Sequence, residues 1–152
     1  TALRILDAVE YVHDILLPKL QAQSTISRLP ESVLLHPVCS AMKLGFADKL
    51  YTIAEACAEQ ATTPIHASCC GFAGDRGMIV PELTLNATLL EAREAQECQY
   101  DGYYSSNPPC QTAMTTAVGK QYQSFILLVE KATRPHRALW NKAKSKISFM
   151  LS

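Results

Sequence analysis

Residues 68–77, SCCGFAGDRG, set two adjacent cysteines, Cys69 and Cys70, ahead of Gly71, Gly74 and Gly77, with Asp75 and Arg76 before the last glycine. A disulfide between chain neighbours is strained, so two thiols side by side point to another use of sulfur. Cys39 and Cys110 each close a segment of strand-like composition, in SVLLHPVC and DGYYSSNPPC. Thiolates are soft, charge-donating ligands, and four of them can hold either an iron–sulfur cluster or a tetrahedral zinc ion. The spacing matches neither the C-x2-C-x2-C run of bacterial ferredoxins nor the paired C-x2-C units of zinc ribbons. Residue types and spacing therefore leave cluster, zinc and vacant structural thiols open. A four-thiolate cluster is anionic, and backbone N–H groups of a glycine-rich loop stabilise such a charge, which makes Gly71, Gly74 and Gly77 candidates to line it.

Whether these sulfurs can meet depends on the elements that carry them. Leu3, Leu6, Val9, Val12 and Leu16 recur at helical spacing, and Pro18 ends that pattern. Residues 21–31 read as a loop, and SVLLHPVC as a buried strand ending near Cys39. Leu44 to Glu59 places Leu50, Ile53, Ala54 and Cys57 on one helical face, and PIHASCC reads as a second strand. PELTLNATLLEAREAQEC is the next helix, with Pro81 suited to its first turn. DGYYSSNP makes a third strand, followed by helices over Gln111–Val118, Ser124–Ala132 and Arg134–Leu151. Alternation of strand and helix implies an α/β fold: a small parallel sheet of three to four strands covered by helices, with helical terminal segments. Ligands gather at the carboxyl ends of such strands, and each of the three expected strands ends in cysteine. Parallel strands would bring Cys39, Cys69, Cys70 and Cys110 to one edge.

Composition narrows the classes. The chain has 152 residues, 48% of them hydrophobic, enough for one domain with a sizeable core over residues 1–152. With 14 basic and 14 acidic residues there is no global field to favour nucleic acid or an anionic membrane. No apolar run is long enough to span a bilayer, and Arg4, Asp7, Glu10 and Asp14 break the start of the chain, unlike a signal peptide. The protein reads as cytoplasmic, with peripheral association with the inner membrane left open by the basic terminal stretch. Six cysteines in a reducing compartment favour metal or redox chemistry over disulfides. A first residue of Thr1 rather than methionine is expected of a segment cut from something longer.

HPVCS, CCGFAGDRG, PELT and SSNPPCQTA resemble the cysteine-rich CCG domain that closes the FAD- and iron–sulfur-dependent D-2-hydroxy-acid dehydrogenases, the D-lactate and D-2-hydroxyglutarate group. The likeness covers roughly residues 3–134. It implies a C-terminal piece of a flavin- and iron–sulfur-dependent oxidoreductase, in which a flavin domain oxidises the hydroxy acid and iron–sulfur modules receive the electrons. It assigns ligation of a 4Fe-4S cluster to Cys39, Cys69, Cys70 and Cys110. Gly71, Gly74 and Gly77 would shape the loop around that cofactor, with Arg76 facing it or a partner. FAD would sit elsewhere in the parent, and the flavin and ferredoxin-like domains of the same parent chain would be the partners. The pattern departs from the heterodisulfide reductase type, whose repeats finish in C-x-x-C, because Cys110 is followed by Gln111, Thr112 and Ala113. A five-thiolate cluster is accordingly disfavoured, and this piece is not expected to turn over substrate alone. The alternative is a metal-free or zinc-stabilised docking domain.

Plainer readings stand beside these. Cys57 on an apolar helix face is a small buried hydrophobe, and Cys98, closing a helix, is expected to be structural too. His36, between strand and proline, is either a satisfied structural group or a donor to the metal. His66 is expected to face a helix, and Asp75 and Arg76 either brace their loop or meet a partner. No G-x-S-x-G elbow supports a hydrolase. The terminal helix places Leu139, Ala143, Ile147 and Met150 on one face, with Trp140 and Phe149 available to dock against another domain.

Overall fold

The computed structural model describes Leu3 and residues 5–134. The expected terminal helix over Arg134–Leu151 lies outside the described residues apart from its first residue. The chain opens with α1 (Ala8–Tyr11), a π turn (Val12–Leu16) and α2 (Leu17–Ala22) in one continuous helical run. Asp7 starts it with a capping box: its carboxylate accepts from the Val9 N–H, and Glu10 reaches back to the Asp7 N–H. Pro18 was expected to stop this helix and does not. Proline has no N–H to donate four residues back, and its ring crowds the carbonyl there. The π turn accommodates it, with the Leu17 N–H reaching the Val12 carbonyl. The extra residue in that turn also shifts the buried face, so Val9, Val12 and Leu17 are buried rather than Leu16.

Strands β1 (Leu29–His36), β2 (Ala58–Thr62), β3 (Gly102–Ser105) and β4 (Tyr122–Ser124) form an all-parallel sheet in the order β2-β1-β3-β4. The α/β architecture with helices over a small parallel sheet is as expected. Central β1 is apolar on both faces because both are covered. Val33 and Leu35 join one apolar cluster and Leu34 the other. The first cluster holds Val9, Val12 and Leu17, the α4 (Ala47–Cys57) residues Leu50, Ile53 and Cys57, and Phe125 and Leu128 of α8 (Phe125–Thr133). The second holds Ala92 and Ala95 of α6 (Pro81–Glu97) and Met114 and Val118 of α7 (Pro108–Val118), under Tyr103 and Tyr122.

Two expected boundaries move. The helix expected over Leu44–Glu59 is instead α3 (Cys39–Leu44) and α4, separated at Gly45, whose φ of +77° makes the left-handed turn that ends α3. Ala58–Thr62, of helix-forming or turn-prone composition, becomes β2 because the open edge of β1 takes its backbone, from Leu29↔Ala58 to Leu34↔Thr62. That leaves PIHASCC, expected as a strand, without a partner, and residues 63–75 form a loop. Carboxylates of α6 take the amides a strand partner would have taken: Glu94 accepts from the Ile65 and His66 N–H groups at 2.7 and 3.0 Å. A further short helix, α5 (Arg76–Ile79), leads into α6. β4 was not foreseen; its three residues lie between two helices.

From β1 the chain passes outward to β2, and from β3 outward to β4 on the other side. β1 and β3 are therefore the neighbours between which the direction of winding reverses, and the crevice beyond their carboxyl ends is where α/β sheets place ligands. Among the described residues no helix is long and apolar enough to cross a membrane.

Candidate metal centre

The four cysteines of the expected set lie on three connections that leave the carboxyl ends of the strands. Cys39 is the first residue of α3, three residues beyond the end of β1. Cys110 lies in the first turn of α7, after Pro108 and Pro109, whose missing N–H groups cost nothing at a helix start. Cys69 and Cys70 sit in the loop after β2. The Sγ atoms of Cys70 and Cys110 are 3.1 Å apart, and both residues are buried. Cys39 is half-buried and Cys69 exposed.

Electrostatic coupling ties all four thiols together. Burial raises the Cys39 thiol, and hydrogen-bonding contact with Cys69 and the nearby charge of Cys70 raise it further. Cys110 is raised first by its hydrogen bond to Cys70, then by burial, with smaller contributions from Cys39 and Cys69. Cys70 goes the other way, down to about 4. The hydrogen bond with Cys110 is the main cause; burial opposes it, and His36 and the Phe72 N–H add to it. Of the pair, Cys70 is the thiol whose surroundings favour the ionised form, the form that binds metal.

His36 and Glu91 complete the interior. His36 ends β1, pairs in register with Ser105 at the end of β3, and is fully buried. Its Nδ1 lies 2.7 Å from Glu91 Oε1 of α6, itself 1% exposed. Burial disfavours the imidazolium, but the Cys70 thiolate and the Glu91 carboxylate outweigh it and carry the group up to about 9. The donor atoms of His36, Cys70 and Cys110 lie within 4.8 Å of one another, a group able to hold a metal ion or cluster. Two buried polar atoms at this spot, His36 Nε2 and Ser105 Oγ, have no hydrogen-bond partner. An orphaned ring nitrogen among soft thiols is what a metal site leaves when only the protein is considered. Two thiolates on one tetrahedral ion stand about 3.8 Å apart, given bonds of about 2.3 Å. Cys70 and Cys110 would spread slightly to take one. The donor set fits.

The glycines serve the loop in different ways. Gly71 has φ +68°, and a Cβ there would fall 2.7 Å from both Ala87 Cβ and the Leu83 carbonyl oxygen of α6. Gly77 is buried against Phe72 and Thr84, and its N–H bonds the Phe72 carbonyl at 2.8 Å. Gly74, at φ +75°, faces open space. What demands glycine at 71 and 77 is thus the loop's seat on α6, and the amide that does reach a sulfur is Phe72's, at Cys70. Arg76 and Asp75 are exposed and make no ion pair with each other among the described residues, which removes them as mutual braces. His66 faces a helix as expected, its Nδ1 3.0 Å from Glu94 Oε2, though from the loop. Cys57 is fully buried, and burial pushes its thiol up to about 12. Cys98 departs from expectation: it is an exposed cap at the end of α6 and packs no core.

Glu91, Phe72 and Ser105 escape a reading by motif. For Glu91 a signal exists: Thr84, Thr88, Glu91, Ala92 and Ala95 share one buried helix face, on which a lone carboxylate requires a partner. No family model, curated protein or solved structure matches this chain.

Proposed function

We propose that the chain is an electron-transfer module, holding an iron–sulfur cluster of the 4Fe-4S type on Cys39, Cys69, Cys70 and Cys110, within a larger FAD-dependent oxidoreductase of the D-2-hydroxy-acid (D-lactate) class. One observation carries the reading: the buried sulfurs of Cys70 and Cys110, from two separate connections, stand 3.1 Å apart at the switch point of a parallel sheet, with a His36 nitrogen within 4.8 Å. The motif resemblance supplies the parent class, and with it a cytoplasmic compartment, a flavin domain and ferredoxin-like domains as partners. When bound, the cluster supplies one-electron transfer at a potential set by the groups around its sulfurs.

The chain's own residues would do the rest. Cys70, the thiol whose surroundings most favour ionisation, would offer the first anchor. The Phe72 N–H and the start of α7 direct positive dipole toward the sulfurs, which stabilises the added electron. Val38, Phe72 and Ala113, all buried, keep water from the inner side. Exposed Cys69 sets the outer side at the surface, where a partner can approach closely. Arg76 and Gly74 lie on that exposed loop and would meet the partner or the cofactor's rim.

A zinc-stabilised or metal-free docking domain is the second reading, favoured by the apolar side chains exposed around the same loop, among them Ile65 at 90%, Met78 at 74% and Ile79 at 74%. Anaerobic reconstitution with ferrous iron and sulfide separates the two. Visible absorption, matching iron and sulfide content and a low-temperature EPR signal on reduction support the electron-transfer module; a colourless protein without iron supports docking.

A further inference from the structure

The inner half of the site is not made of sulfur alone. Glu91 is a buried carboxylate and can only accept a hydrogen bond when ionised, so the 2.7 Å contact fixes the hydrogen of His36 on Nδ1. The other ring nitrogen, Nε2, then faces the thiols, buried and without a hydrogen bond of ordinary geometry among the described residues. A carboxylate on one imidazole nitrogen and a metal on the other is the recurring arrangement by which proteins orient a ligating histidine. The backbone on both sides is rigid: His36 is held in the sheet between β2 and β3, and Glu91 in the middle of a 17-residue helix. Cys39 and Cys69, by contrast, stand on the outer side, half-buried and exposed.

We propose that His36 is a metal ligand through Nε2, that the centre is therefore a mixed histidine–thiolate one with His36, Cys70 and Cys110 as its inner donors, and that Glu91 is the positioning residue for the ring. The inference rests on the metal-binding part of the reading above and puts a nitrogen where that reading has one of its four thiolates. Binding of Co(II) or Zn(II) is a substitution without electron transfer: the ligating thiols release their protons to solvent, and any proton on Nε2 leaves with them, while Nδ1 keeps its own; in cluster assembly the same protons leave, and added ferric iron supplies the oxidised half of the core. A nitrogen donor in place of an anionic sulfur leaves the centre less negative, which raises the potential of a cluster, as histidine does in other iron–sulfur sites.

The test uses the full 152-residue chain, expressed with 15N-histidine and with unlabelled histidine, loaded anaerobically with Co(II) alone and, separately, with ferrous and ferric iron together and sulfide. Pulsed EPR of the cobalt form and of the reduced iron form reads nitrogen bound to the metal, and X-ray absorption of a zinc-loaded sample counts imidazole and sulfur donors. The expected result is one directly coupled histidine nitrogen, retained in His66→Ala and absent from His36→Asn. Because His36 is fully buried and its replacement by Asn disturbs the packing around it, Glu91→Gln, which keeps the volume, provides the second readout. It is expected to weaken metal affinity roughly 10-fold and to alter the nitrogen coupling. A purely structural Glu91 would lower the melting temperature and leave the coupling unchanged. A fully loaded wild-type centre with sulfur donors alone, His36 serving only as an N–H donor to Cys70, overturns the inference and leaves the proposed function intact. A chain that takes up no metal under any of these conditions overturns both.

Discussion

Replacing Gly71 by alanine tests the link between loop packing and metal binding. The new Cβ would lie 2.7 Å from Ala87 Cβ and 2.7 Å from the Leu83 carbonyl oxygen, and neither is the end of a flexible side chain. A left-handed backbone costs a non-glycine residue about 1–2 kcal/mol, and overpacking adds about 1–3 kcal/mol, so the total is about 2–5 kcal/mol. Gly74→Ala is the internal control: its φ is +75° but its surroundings are open, so only the conformational cost of about 1–2 kcal/mol applies. Urea denaturation of both variants measures the difference, and a loss of about 3 kcal/mol corresponds to a fall in melting temperature of roughly 6–12 °C. Because Gly71 directly follows Cys70, lifting the loop from α6 moves the thiolate from Cys110 and His36, and Gly71→Ala is expected to lose most of its bound metal while Gly74→Ala keeps it. Equal stability and equal metal content in the two variants would refute the argument that glycine at 71 seats the site.

Cys69→Ser and Cys110→Ser are expected to abolish the visible chromophore of the reconstituted protein, whereas Cys57→Ala, in the core of α4, leaves the spectrum unchanged and costs about 1 kcal/mol by denaturation. With its thiol pushed up to about 12 and its side chain fully buried, Cys57 should resist alkylation at pH 8 in the folded protein and react only on unfolding. Leu128→Ala, emptying a fully buried position of α8, should cost about 2–5 kcal/mol without altering metal content. The Asp14 carboxyl is held below its usual range by its hydrogen bond to Lys49, at 2.6 Å, and then by His13. A lowered carboxyl stabilises the fold above its unfolded value near 3.8 and loses that contribution as pH falls through the folded one. Lys49→Ala should flatten this acid limb in stability measurements below pH 4, and an unchanged limb would place the acid sensitivity elsewhere.

For the electron-transfer function proposed above, the division of the thiols into a buried inner pair and a more exposed outer pair would matter. A centre enclosed on all sides would be slow to exchange electrons with a partner, and a fully exposed one would be open to oxygen and water. Cys70 and Cys110 at 4% and 6% exposure, with Cys69 at the surface, give the site one protected side and one open side. The exposed apolar side chains Ile65, Met78 and Ile79 border that open side along the chain, where a partner domain would bury them.

Periodicity and composition were sufficient for the α/β class, for the helices over Pro81–Glu97 and Phe125–Thr133 to within a few residues, and for the two central strands. These are long or strongly patterned, and their ends carry chemistry that acts locally: Pro81 at a helix start, Ser124 accepting from the Ile126 N–H, and Gly119 in the left-handed turn that closes α7. β2 was hidden because AEQAT has no strand preference of its own; only the vacant edge of β1 makes it one. PIHASCC failed in the opposite direction, strand-like in composition but with that edge already taken. The helical run through Pro18 depended on a π turn that no local pattern announces. Cys70 and Cys110 could be singled out from sequence because sulfur chemistry is a property of residue type, and a parallel sheet sends the connections that carry them to the same edge, although Cys70 comes from the loop beyond β2 and not from the strand end expected for it. Glu91 was not: it lies 55 positions from His36, and only the packing of α6 over the end of β1 brings carboxylate and imidazole to 2.7 Å. Which residues can bind metal is written in the chain itself, because donor atoms belong to side chains; which of them meet, and in what protonation state, is decided by long-range packing, because burial and neighbouring charge exist only once the sheet and its helices have assembled.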